Sequence, residues 1–402
     1  MTSPDTGTGR YDRQMRVPGV GAEGQHRLSR ARVLFIGAGG LGAPAALYLA
    51  GAGVGTLGIV DDDVVDLSNL HRQIVHTTAA VGEPKTESAR RTLQALNPDV
   101  TVECLTTRLT AGNAVDLLRG WDMVLDGSDD FATRYLVSDA AAVLGIPHVW
   151  ASVMASGGQL SVFDAARGPV YRDLFPVMPA PGSVPSCAQA GVLPVVPGIL
   201  GVAMAAEALK LALGLSSPLV GRVAIYDMLT AEWDQVPVQA HPQVKRPSTA
   251  AEVGAGLPPT VTVEELADVL GQAGALARAG ASEDRGSLLS VLDVRTAAER
   301  AAGTVPGSVH VPVEEIEEDP LRVLDGLGGG AGTVYVFCAS GARSARAAHA
   351  LRRAGAEAVD VLGGYEAWER RIGDGRGPAE KQTGRQQTSE QETPGGGEWR
   401  HG

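Results

Sequence analysis

An apolar strand that runs through a glycine turn into a helix of small residues leaves a chain few folds to choose from. Residues 32–63, "RVLFIGAGGLGAPAALYLAGAGVGTLGIVDDD", have this form and close on a second strand ending in three aspartates. Gly37, Gly39 and Gly42 satisfy G-x-G-x-x-G. Asp61 follows at the distance where an acid bonds a ribose hydroxyl. Taken alone, the stretch fits a nicotinamide dinucleotide.

The pattern continues along the chain. Apolar, β-rich segments near 32–36, 57–60, 100–105, 122–125 and 147–150 alternate with helical periods near 41–52, 85–96, 111–119 and 131–144. Such alternation predicts βαβ units and a Rossmann-like, doubly wound α/β sheet. Beyond residue 155 or so, "GGQLSVFD" and "GRVAIYDM" read as antiparallel strands that extend the sheet, and Pro197 starts a helix in "VPGILGVAMAAEALKLALG". The first domain is therefore expected at 1–237. Residues 238–258 are rich in Pro, Ala and polar residues without a period and read as a linker. A smaller α/β pattern fills 259–373, and the polar, glycine-rich stretch 374–402 is expected to be disordered.

Composition narrows the function. A net charge of −12 argues against a nucleic-acid partner. The three cysteines, Cys104, Cys187 and Cys338, give no disulfide framework and suit a reducing compartment. The N-terminus has no apolar core of signal-peptide length, and Pro and Gly interrupt the longest apolar runs. The expectation is a cytoplasmic protein without a membrane partner.

Beyond the glycine turn the chain departs from a dehydrogenase. "DDDVVDLSNLHRQIVH" places Asp63, Asn69, Arg72 and Gln73 just past the second strand, and "GEPKTESA" adds Lys85 at the start of the next helix. Two cations and an amide beside a glycine turn suit a triphosphate, because a leaving pyrophosphate develops charge that needs donors. The fourth strand ends in "VLDGSDD", which puts Asp126, Asp129 and Asp130 at the carboxyl edge of the sheet, where one carboxylate can hold Mg²⁺. Singly, each residue is more often a turn former or a solvated charge. Their order along one nucleotide fold reverses that balance.

"RYDRQ", the 37–73 stretch, "GEPKTESA", "DGSDDFATRYLVSDAA", "VPSCAQAGVL" and "GRVAIYDM" together resemble the MoeB/ThiF adenylyltransferases, bacterial relatives of ubiquitin-activating enzymes, over nearly all of 10–236. The resemblance implies that the glycine turn, Gly40 included, binds ATP and not NAD, with Asp61 on the ribose. It implies that Ser68, Asn69, Leu70, His71 and Arg72, with Lys85, surround the phosphates. Asp63 and Gln73 are counted with them, and Asp130 with Asp129, which matches a position associated with transient Mg²⁺. Arg13 matches an arginine that reaches the triphosphate of a neighbouring subunit, which requires a homodimer. The implied reaction is attack on ATP by the C-terminal carboxylate of a ubiquitin-like sulfur carrier protein with a diglycine end. It gives an acyl adenylate and needs no strong base, since the carboxylate is already ionised.

The second domain contains "SVLDVRTAAERAAGTVPGSVHVP" and "TVYVFCASGARSARAAHALRRAGAEAVDVLGGYEAW". A strand ends at Cys338, a short loop comes next, and Arg343 opens an alanine-rich helix. A thiol among backbone N–H groups at a helix N-terminus is expected to have a depressed pKa and to hold a persulfide. "LDVR", "PGSVHVP" and "CASGARS" resemble a rhodanese domain over about 285–372, which implies Cys338 as the sulfur carrier, loaded by thiosulfate or a cysteine desulfurase. Asp293 and Arg295 read as a structural ion pair. The resemblance also makes Cys187 a candidate to attack the adenylate or resolve an acyl disulfide. Cys104 reads as an inert core thiol.

Three departures from the family pattern stand out. The first CxxC of a zinc site common among relatives is replaced by Val170 and Asp173, and "HPQVKRP" lacks the second, so no zinc is expected. An Asp-Asn pair is here Asp129-Asp130. "SVMASGGQ", 152–159, replaces a bulkier segment near the carrier's tail. The sequence favours a sulfur-carrier adenylyltransferase and sulfurtransferase serving molybdopterin, thiamine, cysteine or a specialised sulfur product. The alternatives are an NAD(P)-dependent oxidoreductase fused to a sulfur-handling domain and a weakened carrier-binding adaptor.

Overall fold

Branched and aromatic residues in "RVLFI" make β1 (Arg32–Ile36), which is buried along nearly its whole length and pairs in parallel with two neighbours, β2 (Thr56–Val60) and β4 (Met123–Asp126). In the computed structural model, residues 8–184, 191–216, 218–278, 289–327 and 332–373 are described. Among them, β3 (Thr101–Leu105), β5 (His148–Met154), β6 (Gly157–Phe163), β7 (Arg222–Asp227) and β8 (Glu232–Pro237) complete a sheet ordered β3-β2-β1-β4-β5-β6-β7-β8. Pairing is parallel from β3 to β5 and antiparallel from β5 to β8. The strand order reverses direction at β1 and β4, which opens a crevice at their carboxyl ends.

Helices α1 (Asp12–Met15) and α2 (Gly21–Arg30) precede the sheet, and α3 (Gly42–Ala52) connects β1 to β2. The small residues of α3 let it sink into the core, where Leu49 is fully buried, a burial worth about 2 kcal/mol. Helix α4 (Lys85–Leu96) leads to β3. The period at 111–119 yields only α5 (Ala114–Leu118), because the Asn113 carboxamide accepts the Thr110 N–H and donates to the Arg108 carbonyl in place of a first turn. Helix α6 (Phe131–Leu144) precedes β5, and the short α7 (Tyr171–Leu174) follows β6. Helix α8 (Val195–Leu213) is long and apolar enough to cross a membrane, yet it packs on α3, β5 and β6 with Val196, Leu200 and Met204 fully buried. Strand β8 has no apolar alternation and is exposed throughout, so no sequence period announces it.

The chain divides into two compact units between Leu257 and Pro258. Residues 238–258, expected as a linker, lie against the first unit. Arg246 reaches Asp173 and the Ala165 carbonyl, the Gly254 N–H donates to Asp139, and Val253 is buried in the cluster containing Leu136. Two apolar anchors, Val253 and Leu257, supply the reason. The second unit begins with β9 (Thr260–Val261) and α9 (Val263–Arg278). It continues through β10 (Leu289–Asp293), α10 (Ala297–Ala301), β11 (Val309–His310), α11 (Val313–Glu318), α12 (Pro320–Gly326), β12 (Thr333–Phe337), α13 (Ala342–Arg353), β13 (Glu357–Val361) and α14 (Gly364–Arg371). Its sheet, ordered β11-β10-β12-β13-β9, is parallel throughout. The expected tail 374–402 lies outside the described residues.

Candidate active site

Gly37 leaves β1 at φ +91°, and its N–H donates to the Val60 carbonyl at 2.9 Å. A Cβ on Gly42 would collide with the Gly37 oxygen, so only glycine lets α3 start this close to the turn. Asp61, at the end of β2, spends both oxygens on the turn and its own loop. It accepts the Ala38 N–H at 2.8 Å and the Asp63 N–H at 2.9 Å. Burial pushes its carboxyl up, while Lys85 pulls the other way.

The polar stretch after β2 folds back onto this turn. Asp66 caps the turn Leu67–Asn69 through the Ser68 N–H, and the Leu70 N–H donates to the Leu67 carbonyl. The Asn69 carbonyl accepts the N–H groups of both Arg72 and Gln73. The two side chains thereby come to the glycines. Arg72 Cγ lies 3.4 Å, and Gln73 Nε2 3.8 Å, from where a Cβ would be on Gly40 and Gly39. The Arg72 guanidinium also contacts the Ser68 carbonyl and His71. Gln73 is buried, and its Oε1 has no partner among the described residues.

Lys85 is the first residue of α4, where its N–H donates to the Asp63 carbonyl and its buried Nζ lies 2.9 Å from Asp63 Oδ2. Burial alone would push Lys85 down; Asp61, Asp63 and Asp129 outweigh it and hold the ammonium above its usual range. Asp129 is exposed just beyond β4. Its neighbour Asp130 caps α6 by accepting the Thr133 N–H at 2.8 Å.

Arg13 stands elsewhere. Tyr11 packs on Gly53 and Gln14 donates to the Ala52 carbonyl, which fixes α1 at the C-terminal end of α3. The rise of α3 is about 15 Å, so Arg13, exposed and unpaired among the described residues, lies a helix length from its own glycine turn.

Two buried side chains complete the floor: His76, unnoticed in the sequence, and Asp126, expected at this edge. His76 is buried, with Nε2 3.1 Å from the Ala38 carbonyl and Nδ1 3.0 Å from Ser88 Oγ. Burial drives its pKa down to about 4. Asp126, fully buried, accepts from the Ser128 N–H and hydroxyl and pairs with His148 at 3.1 Å, fixing the turn that carries Asp129. Burial acts to raise Asp126, but His148 and Ser128 together hold it low. His76 belongs to the same short stretch as Arg72 and Gln73; polar burial was its only signal.

In the second unit Cys338 directly follows β12, buried, and its Sγ accepts the Gly341 N–H at 3.0 Å and faces Ser344 Oγ at 3.5 Å. The loop carbonyls are turned the other way, Cys338 O to the Tyr365 N–H at 2.7 Å and Ala339 O to the Glu366 N–H at 3.0 Å. A Cβ on Gly364 would collide with the Cys338 oxygen. Arg343 is held by both oxygens of Glu299, at 2.7 and 2.6 Å, which keeps that carboxyl well below its ordinary range. Glu299 was missed in the sequence, where the T-x-x-E capping box it forms with Thr296 is the local signal that marks it. Asp293 and Arg295 form a buried two-pronged pair, 2.9 and 2.7 Å, with Arg295 stacked on Tyr365.

Cys104 donates to the Thr86 carbonyl at 3.3 Å, and burial pushes its thiol up to about 11. Cys187 lies outside the described residues. At Val170 and Asp173, read in the sequence as departures from the family's zinc pattern, the Asp173 carboxylate accepts the Val170 N–H (2.7 Å), the His241 N–H (2.7 Å) and the Arg246 guanidinium (3.3 Å).

The ThiF family profile matches residues 11–247 and the rhodanese-like domain profile residues 276–371. The chain is 41% identical over 383 residues to the probable adenylyltransferase/sulfurtransferase MoeZ of Mycobacterium tuberculosis, covering 90% of this chain and 93% of that protein. It is 52% identical over 239 residues to the sulfur carrier protein adenylyltransferase of Thermus thermophilus, covering 58% and 88%. It is also 38% identical over 407 residues to the mouse adenylyltransferase and sulfurtransferase MOCS3, covering 92% and 86%. Among solved structures, E. coli MccB with MccA-N7isoASN shares the fold at TM-score 0.54 and 19% identity, over 61% of this chain and 76% of that one.

Proposed function

The chain belongs to the ThiF family and carries a rhodanese-like domain, and from that premise we propose that it adenylates the C-terminal glycine of a ubiquitin-like sulfur carrier protein and sulfurates it from a persulfide on Cys338. One observation carries the first half: Arg72 and Gln73 stand against Gly40 and Gly39 while Lys85 is buried beside Asp63. The relatives that match along the chain are named adenylyltransferases and sulfurtransferases, so the nicotinamide alternative is set aside.

The orphaned Gln73 Oε1 and a cradle that admits only glycine at position 42 fit a nucleotide. In this reading the carrier carboxylate attacks the α-phosphorus and pyrophosphate leaves, with Lys85 and Arg72 opposing the developing charge. Asp129 is the carboxylate that would hold Mg²⁺, which when bound neutralises phosphate charge. Arg13, anchored far from its own turn, serves the turn of a second copy, so the working unit is a homodimer.

Sulfur transfer is the second half. The terminal sulfur of the Cys338 persulfide attacks the adenylated carbonyl, AMP departs, and an acyl disulfide joins the carrier to Cys338. The Cys187 thiolate then attacks the Cys338 sulfur, releases the carrier thiocarboxylate, and leaves a Cys187–Cys338 disulfide for a cellular dithiol to reduce. Thiosulfate or a cysteine desulfurase reloads Cys338. Such chemistry belongs in the reducing cytoplasm, where carriers of molybdopterin or thiamine synthesis are the substrates to try first.

Candidate carriers ending in diglycine, incubated with the enzyme, ATP and a sulfur donor, should gain the mass of one oxygen-to-sulfur exchange and support ATP–pyrophosphate exchange. Exchange that proceeds without any carrier, or none with every carrier tried, would refute this assignment.

A further inference from the structure

The two peptides that flank the Ala38 Cα in the glycine turn are each held from outside the turn. The Ala38 N–H is bound by Asp61, and the Ala38 carbonyl by His76 Nε2 at 3.1 Å. A carbonyl only accepts, so Nε2 carries the imidazole proton, and Nδ1 accepts from the Ser88 hydroxyl at 3.0 Å. Ser88 lies one turn along α4 from Lys85 and is itself buried. One imidazole therefore ties the turn to the helix that supplies the buried cation.

In a trans peptide the C=O and the following N–H point in opposite directions. Holding the Ala38 oxygen inward on a buried ring therefore turns the Gly39 N–H outward. No acceptor for that N–H is found among the described residues. Rotated the other way, the same peptide would offer a carbonyl oxygen to a polyanion, replacing attraction with repulsion.

We propose that His76 is a positioning residue for the nucleotide, holding the Ala38–Gly39 peptide so that the Gly39 N–H is presented to the phosphates. This rests on the reading of the turn as an ATP site. Calorimetric titration of the full chain with ATP and with adenosine tests it. His76→Leu, which removes the donor, is expected to weaken ATP roughly tenfold, the scale of one lost hydrogen bond, and to leave adenosine affinity unchanged. His76→Gln, whose amide N–H can reach the Ala38 oxygen, is expected to restore most of the loss.

Equal weakening of ATP and adenosine, an unchanged ATP affinity, or no rescue by glutamine would overturn the inference. Should His76→Leu fail to fold, Ser88→Ala carries the same test, with ATP weakened about twofold to threefold and adenosine unchanged. Failure of the wild-type chain to bind ATP would overturn the nucleotide reading and this inference with it. Wild-type binding with unselective variants would overturn the inference alone.

Discussion

Both units place a strand, a short loop and a helix at the carboxyl edge of a parallel sheet, yet the two loops are completed in opposite ways. The Cys338 loop has its polar groups already paired within its own unit. Its amide reaches its own sulfur, its carbonyls are taken by the start of α14, and its arginine is neutralised by Glu299. The glycine turn has the Gly39 N–H without an acceptor among the described residues, and gathers side chains from three other segments, at residues 61–63, 72–76 and 85–88. Cradling one sulfur atom takes a single loop; a diffusible polyphosphate needs charges of both signs delivered from distant parts of the sheet.

The largest effects should separate the units outright. Lys85→Ala is expected to lower carrier-dependent pyrophosphate exchange by about 10³-fold while Cys338 still accepts sulfane sulfur. Cys338→Ser should do the reverse, sparing exchange and abolishing sulfur transfer, since a hydroxyl holds no persulfide. Loss of both activities in either variant would mean that the two sites are not separable.

Acid should distinguish the units next. His76 is held neutral, at about 4 against an ordinary value of 6.5, chiefly by burial and further by the Lys85 charge. Between those values the unfolded chain binds the proton that the native state refuses, so stability falls as pH drops from 6.5 toward 4, by roughly 3 kcal/mol. Glu299, depressed by Arg343, keeps its contribution in the second unit until pH falls below the ordinary glutamate range. Scanning calorimetry should show the first unit's transition moving first. His76→Gln should flatten that slope, and an unaltered slope would locate the proton elsewhere.

Arg13→Ala is expected to cost about 10²-fold in exchange. Mixed with Lys85→Ala chains, it should recover to about a quarter of wild type, because half the dimers then hold one intact composite site. No recovery would mean that Arg13 acts within its own chain or not at all. The smallest effect concerns the staple that Asp173 makes with Val170, His241 and Arg246. Asp173→Ala leaves two N–H groups and Arg246 without their acceptor and should destabilise the first unit by about 2 kcal/mol, read as a lower urea midpoint with the second unit's transition unmoved.

Much of the fold was legible because periodicity is local. Alternating strand and helix patterns fixed the parallel sheet, and a glycine at each steric pinch or a cysteine at a strand end marks a loop wherever that loop ends up. The shortened α5 and the exposed β8 escaped because side-chain hydrogen bonds and hairpin pairing, not period, shaped them.

By itself the sequence determined the two α/β units, the glycine turn with its acid, and the cysteine loop, since each is encoded within a few consecutive residues. Only the tertiary structure decided which polar groups meet. His76 finds Ala38 across 38 residues, Asp173 finds Arg246 across 73, Arg343 finds Glu299 across 44, and Arg13 comes to rest at the wrong end of α3 for its own turn. A buried polar side chain carries no period, and its partner is whichever loop the strand order brings within hydrogen-bonding distance.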